Sequence, residues 1–159
     1  MNDIEEIKKL KARYFRSLDA KDWELYASVF AEDCVVDLRG AGGELYEGRP
    51  AFVAYASSLT LVQSVHQGHM PEVDLTGPTT ATGVWALEDY NLWEDGTQNH
   101  GWGHYLETYE KIGERWAIKT MKLSYLRIEQ PAEKPAMIAG VANTGHLRGP
   151  RPAAACGEQ

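Results

Sequence analysis

The sequence predicts an α+β fold in which helices come first and a meander of long strands follows. Three observations carry this reading. Apolar residues recur at helical spacing through the first third of the chain, and from about residue 63 the pattern changes to period two. The turn signals Gly77-Pro78, Asp95-Gly96 and Gly113-Glu114 then cut the second part into similar segments.

Ile4, Ile7, Leu10, Tyr14 and Leu18 lie three or four apart and predict an amphipathic helix over about residues 3–19, with Glu5, Glu6, Lys8, Lys9 and Arg13 on its solvated side. Asp22 reads as the N-cap of a second helix, Trp23 to Phe30. Cys34-Val35-Val36-Asp37-Leu38 reads as a short strand, closed by a turn around Gly40–Gly43. Glu47-Gly48-Arg49-Pro50 opens a third helix to about Leu59, because proline is at ease in a first turn. Four strands are predicted near 63–76, 80–94, 99–112 and 115–128, all rich in β-branched and aromatic residues. Three N-terminal helices over a strongly curved, mostly antiparallel sheet would enclose a conical space. After Glu129 the prolines and glycines oppose regular structure, so residues 1–128 are read as one domain. Residues 129–159 are read as a tail whose Met137-Ile138-Ala139 and Val141 are suited to sealing a pocket or touching a neighbouring subunit, with a plain disordered extension as the alternative.

Composition narrows the function classes. A net charge of -7, with 16 basic residues forming no stripe, argues against a phosphate-backbone partner. No run approaches the roughly 18 apolar residues of a membrane span. The acidic start, Met1 to Glu6, is unlike a secretion signal, so a cytoplasmic protein is expected. Cys34 and Cys156 have no Cys-x-x-Cys spacing, and neither zinc nor a disulfide scaffold is expected. His66…His69 and His100…His104 also make poor metal sites. Positions three apart on a strand face opposite sides, and positions four apart are about 13 Å apart. No nucleophile elbow, phosphate loop or dinucleotide fingerprint is present, which leaves chemistry without a cofactor.

Four stretches resemble the SnoaL-like branch of the nuclear-transport-factor-2-like superfamily: Leu10 to Trp23, Phe30 to Val35, Tyr46 to Arg49, and Gly113 to Ile118. The resemblance covers about residues 3–128 and implies the cone-shaped fold. It also implies a homodimer or homotrimer, since the outer sheet face of such proteins usually meets a partner subunit. Its lyase-type members, similar to bile-acid dehydratase, scytalone dehydratase and hexachlorocyclohexane dehydrochlorinase, pair an aspartate closing the first helix with a histidine opening the first long strand. Asp19 and His66 match those positions, and Tyr14 matches a tyrosine five residues before the aspartate. The arginine that many relatives carry in the third long strand is replaced here by His104.

From the residues alone, Asp19 reads as a solvated helix end, because Leu18-Asp19-Ala20-Lys21-Asp22 is also a good turn. The resemblance is what makes it half of a dyad. In a dyad, a neutral imidazole removes a proton and the carboxylate fixes its tautomer. Tyr14 is a core tyrosine or a donor to a substrate oxygen; five residues rotate a helix by about 140°, so it shares a cavity with Asp19 only if the helix ends or bends near Leu18. His104 shares a strand face with Trp102 and Leu106, while Tyr105, Glu107 and Tyr109 share the other; it is a second acid if its face is inward and a surface histidine otherwise. An inward Asp89 would need a hydrogen bond and would be a further candidate acid. Trp85, Asp89, Trp102 and Tyr125 are the expected substrate contacts, suited to a flat ring. The expectation is a cofactor-independent lyase acting on a small apolar ring compound by proton abstraction from carbon. An isomerase or cyclase using the same base, and a non-catalytic binding module, are the alternatives.

Overall fold

The computed structural model describes residues 2–131. The readings placed on Met137–Val141 and Cys156 lie outside them. The elements are α1 (Asp3–Asp19), α2 (Trp23–Ser28), β1 (Phe30–Asp37), a 3-10 turn at Arg39–Ala41, β2 (Leu45–Glu47), α3 (Arg49–Ser58), β3 (Leu61–Leu75), β4 (Thr80–Trp93), β5 (Gln98–Ile112) and β6 (Arg115–Glu129). One six-stranded sheet runs β2-β1-β6-β5-β4-β3. Its only parallel pair among the described residues is β1 with β6. No helix among the described residues is long and apolar enough to cross a membrane.

The four long strands lie within two residues of their predicted bounds, because their turns are marked by glycine. The early part differs more. The second helix stops at Ser28 and Phe30 already begins β1, which pairs with Ile118 of β6. The three residues of β2 are too few to display a period; they form a strand because Tyr46 pairs with Val36. Gly48, at φ 84°, then turns the chain into α3, a left-handed conformation natural to glycine.

Period two divides each long strand between two faces. Trp85, Leu87, Asp89 and Asn91 of β4, and Tyr105, Glu107 and Tyr109 of β5, are buried beneath the helices. A bulge in β3 between His69 and Glu72, with Met70 at φ 41°, swaps the faces part-way along, so Ser64, His66 and Gly68 point inward before it and Val73 after it. α1 packs against β3 and β6, with Ile7, Leu10, Tyr14 and Leu18 as its buried stripe.

Within that core lies a charged pair. Lys11 and Glu107 are fully buried, and Lys11 Nζ is 2.5 Å from Glu107 Oε1. The ammonium also sits over the Tyr105 ring at 3.5 Å and the Tyr14 ring at 4.0 Å. Glu107 Oε2 accepts from the Tyr109 hydroxyl, whose oxygen accepts from Trp85 Nε1 at 2.8 Å. Burial pulls the Lys11 ammonium down to about 8, against the opposing attraction of Glu107.

Burial also holds the phenols of Tyr14, Tyr26, Tyr105, Tyr109 and Tyr125 neutral well above the ordinary value of 10. The unfolded chain releases those protons near pH 10 while the folded chain keeps them. Their contribution is therefore complete below about pH 10 and is lost above it. Lys11 acts oppositely between about 8 and its ordinary 10.5, adding stability as pH rises, and Lys21, also lowered by burial, acts with it, but these are two groups against five. Urea midpoints are expected to hold to about pH 10 and to fall steeply by pH 11; an unchanged midpoint at pH 11 would contradict the neutral-phenol core.

Candidate active site

α1 ends in a Schellman motif: Asp22 N–H donates to Ser17 O at 2.9 Å and Lys21 N–H to Leu18 O at 3.2 Å. The left-handed position is held by Lys21 (φ 56°) instead of glycine. This backbone costs about 1 kcal/mol or more in a non-glycine residue, and here it brings the lysine back over the helix end. Lys21 Nζ donates to Leu18 O at 3.2 Å and to Ser64 Oγ at 2.7 Å.

The helix end meets β3 at the free edge of the sheet. The His66 backbone N–H points away from β4 and donates to Asp19 Oδ2 at 2.9 Å, so one carboxylate oxygen covers an otherwise open strand edge. The other oxygen, Oδ1, accepts from Ser64 Oγ at 2.9 Å and lies 2.7 Å from His66 Nδ1. A carboxylate can only accept, so Nδ1 carries the proton, and in the neutral ring Nε2 keeps its lone pair. The side chains are largely enclosed, at 9% exposure for His66 and 14% for Asp19.

His66 lines a cavity of about 200 Å³ between the helices and the inner sheet face. Leu18, Tyr26, Phe52 and Leu123 supply much of its apolar wall, and Tyr14, Tyr55 and Tyr105 add rings. The polar groups are clustered on the sheet side: Asp89, Asn91, Asn99 and Tyr125. Asn91 Nδ2 donates to Asn99 Oδ1 at 3.1 Å. Tyr125 OH donates to Asp89 Oδ2 in a short hydrogen bond, while Asp89 Oδ1 has no hydrogen-bond partner among the described residues. Burial holds the Asp89 carboxyl above its ordinary 3.8, opposed by the Tyr125 hydrogen bond and by His66.

A family match fits this architecture: the SnoaL-like domain matches residues 1–122. The chain belongs to the SnoaL-like family. Among curated proteins it is 22% identical over 137 residues to "Probable cyclase FGR4" of Gibberella zeae, covering 76% of this chain and 89% of that protein. Among solved structures it is similar to a hexachlorocyclohexane dehydrochlorinase (LinA) Type2, with TM-score 0.78 and 13% identity over 87% of this chain and 95% of that one. A "Putative Scytalone Dehydratase" from Novosphingobium aromaticivorans superposes with TM-score 0.74 and 20% identity, covering 87% and 93%. At such identities the likeness is one of fold.

The SnoaL-like scaffold brings some expected site residues together and separates others. His66, Tyr14, Asp89 and Tyr125 all line the cavity. Asp19 stands behind His66 instead of facing the cavity; α1 stays helical through Asp19, so the rotation of about 140° turns it to the strand edge while Tyr14 points inward. His104 and Trp102 must be corrected. Tyr105, Glu107 and Tyr109 form the buried face of β5, and this puts Trp102 and His104 on the opposite, outer face. Trp102 packs there against His100, with ring centres 4.1 Å apart. Trp85 does face inward, but beside Phe15 and Gly68 outside the cavity, where its indole is bonded to Tyr109.

Ser64 and Lys21 were missed by sequence reasoning. A serine two residues before a candidate histidine on a strand shares its face, which is the signal that was available. Lys21 gave no signal, since nothing in a turn sequence announces a left-handed lysine. Ser64→Ala removes one donor to the Asp19 carboxylate and leaves Lys21 Nζ with Leu18 O alone of these two acceptors. A loss of about 1.5–3 kcal/mol in urea unfolding is expected for a hydrogen bond to a charged group, with Ser64→Thr losing much less; equal stability of Ser64→Ala and the unaltered protein would show that the bond is immaterial.

Proposed function

We propose that this SnoaL-like protein is a cofactor-independent lyase in which His66 Nε2 removes a proton from carbon of a small, largely apolar ring compound. One observation carries the reading: His66 Nδ1 lies 2.7 Å from a carboxylate that is itself held by Ser64 and by a backbone N–H, while the ring lines an aromatic-walled cavity. Asp19 keeps Nδ1 protonated and stabilises the imidazolium that forms during proton transfer. The surrounding rings exclude water and seat a flat molecule, which strengthens the charge interactions inside. Tyr14 supplies a hydroxyl from the helix side, with Tyr26 and Tyr55 beside it.

An isomerase or cyclase is the second reading, favoured by the likeness to the probable cyclase of Gibberella zeae. It begins with the same abstraction and returns the proton instead of expelling a group. The test is turnover of 5-nitrobenzisoxazole, a planar bicycle whose one acidic C–H and N–O leaving bond report proton abstraction by any well-placed base. Saturable turnover dependent on His66, with a primary isotope effect on deuterating that carbon, is the expected result. Turnover no greater than that of a His66→Gln variant would move the protein to the binding-module reading.

A further inference from the structure

The strand register brings His66, Asp89 and Gly101 into one row across β3, β4 and β5, since His66 pairs with Asp89 and Asp89 with Gly101. All three lie on the inner face. Directly opposed residues on one face have Cβ atoms about 4.5–5.5 Å apart, so the Asp89 carboxyl is the immediate neighbour of the imidazole. On its far side, Asp89 Oδ2 accepts from the Tyr125 hydroxyl of β6. Gly101 makes room for this pair: a Cβ there would come within 2.6 Å of Asp89 Oδ1 and would strike the Tyr125 ring. The proposed base thus stands beside a second buried carboxyl for which that base has no use.

We propose that Asp89, together with Tyr125, is the acid of the site and that the substrate leaves through oxygen, as a ring compound bearing a hydroxyl or similar oxygen next to the carbon that loses its proton. This rests on the proposed role of His66 and deepens it. Asp89 is 3% exposed, and its Oδ1 makes no hydrogen bond of good geometry among the described residues; burial disfavours its ionised form, against the pull of Tyr125, His66 and Asn91. The titratable groups around it are His66 on β3, Tyr125 on β6, Tyr105 on β5, and Tyr14 and Tyr55 from the helices, with His100 on the outer face. Burial raises the phenols of Tyr14, Tyr105 and Tyr125, so none of these three supplies a negative charge near neutral pH. With no cation but a protonated histidine near it, burial keeps Asp89 protonated longer than an exposed aspartate.

The step balances within the site. His66 Nε2 takes the proton, the C–H electrons form the new double bond, and the C–O bond breaks with its electron pair on oxygen. That oxygen takes the proton of Asp89, whose Oδ2 goes on accepting from the Tyr125 hydroxyl, and departs as water or an alcohol. Asp89 is left ionised beside a protonated His66, and the proton passes back between these neighbours once product has gone. A departing halide needs no proton and would make no use of the pair.

The experiment compares two probes of different leaving-group basicity, 5-nitrobenzisoxazole and unsubstituted 1,2-benzisoxazole, on the full chain and on Asp89→Asn, Tyr125→Phe and Gly101→Ala. Asp89→Asn is expected to slow the unsubstituted probe by about 10²-fold, within the usual range for an acid, and the nitro probe by only a few-fold. Gly101→Ala and Tyr125→Phe are expected to show the same selectivity at smaller size. Infrared difference spectra at neutral pH give a readout free of turnover: a protonated-carboxyl stretch lost in Asp89→Asn. Equal slowing of both probes, or no such band, overturns the inference. His66→Gln slows both probes alike if the base is as proposed, so a failure of that reading is seen separately from a failure of this one.

Discussion

Replacing His66 with Gln is expected to lower 5-nitrobenzisoxazole turnover by about 10²–10⁴-fold, the usual contribution of a positioned general base. Gln keeps a polar group near Asp19 but has no lone pair basic enough to take a proton from carbon, so the loss falls on kcat while the fold persists. Asp19→Asn gives the complementary result. Its amide either donates to Nδ1 or withdraws, and in both cases Nε2 can take the ring proton and cease to be the base. A loss of similar size is expected, with thermal unfolding shifted by only a few degrees, because the amide oxygen can still accept from the His66 N–H while the amide NH2 faces Nδ1 and the Ser64 hydroxyl, which can accept. If His66→Gln kept half or more of the activity, the Asp19–His66 pair would be a structural tie between α1 and β3, and the cavity a binding site.

The second large effect is on stability. Lys11→Met leaves Glu107 buried at 0% side-chain exposure without its cation. Breaking one side of a buried ion pair costs about 3–5 kcal/mol, which for a domain of this size lowers the thermal midpoint by about 10 °C. Methionine fills most of the lysine volume, so the loss is electrostatic and not a cavity effect. Lys11→Met with Glu107→Gln tests this directly: the Gln side-chain oxygen still accepts from Tyr109, no charge is left behind, and most of the stability is expected to return. A double variant no better than Lys11→Met would show that packing around Tyr14, Phe15 and Tyr105 accounts for the loss.

Much of the fold was legible because it follows from local pattern. Helical spacing along Ile7, Leu10, Tyr14 and Leu18, the Asp22 cap and the glycine-marked turns are each contained within a few residues. The errors share a different cause. His104 and Trp102 were misplaced because alternation separates two faces of a strand without saying which is inward. The inward face is the one that carries Glu107, and that glutamate is buried against Lys11, 96 residues earlier in the chain. Asp19 read from the sequence alone as a solvated turn; only its likeness to relatives coupled it to His66, 47 residues away.

By itself the sequence determined the α+β class, the limits of the four long strands and the set of polar residues available for chemistry, since propensity, spacing and turn residues act locally. Tertiary structure decided which of those residues meet. A Schellman end with a left-handed Lys21 directs Asp19 to the edge of β3, a bulge at Met70 reverses which face of that strand is inward, and the register places Asp89 beside His66. Each of these depends on contacts between distant segments, and no window of neighbouring residues contains both partners.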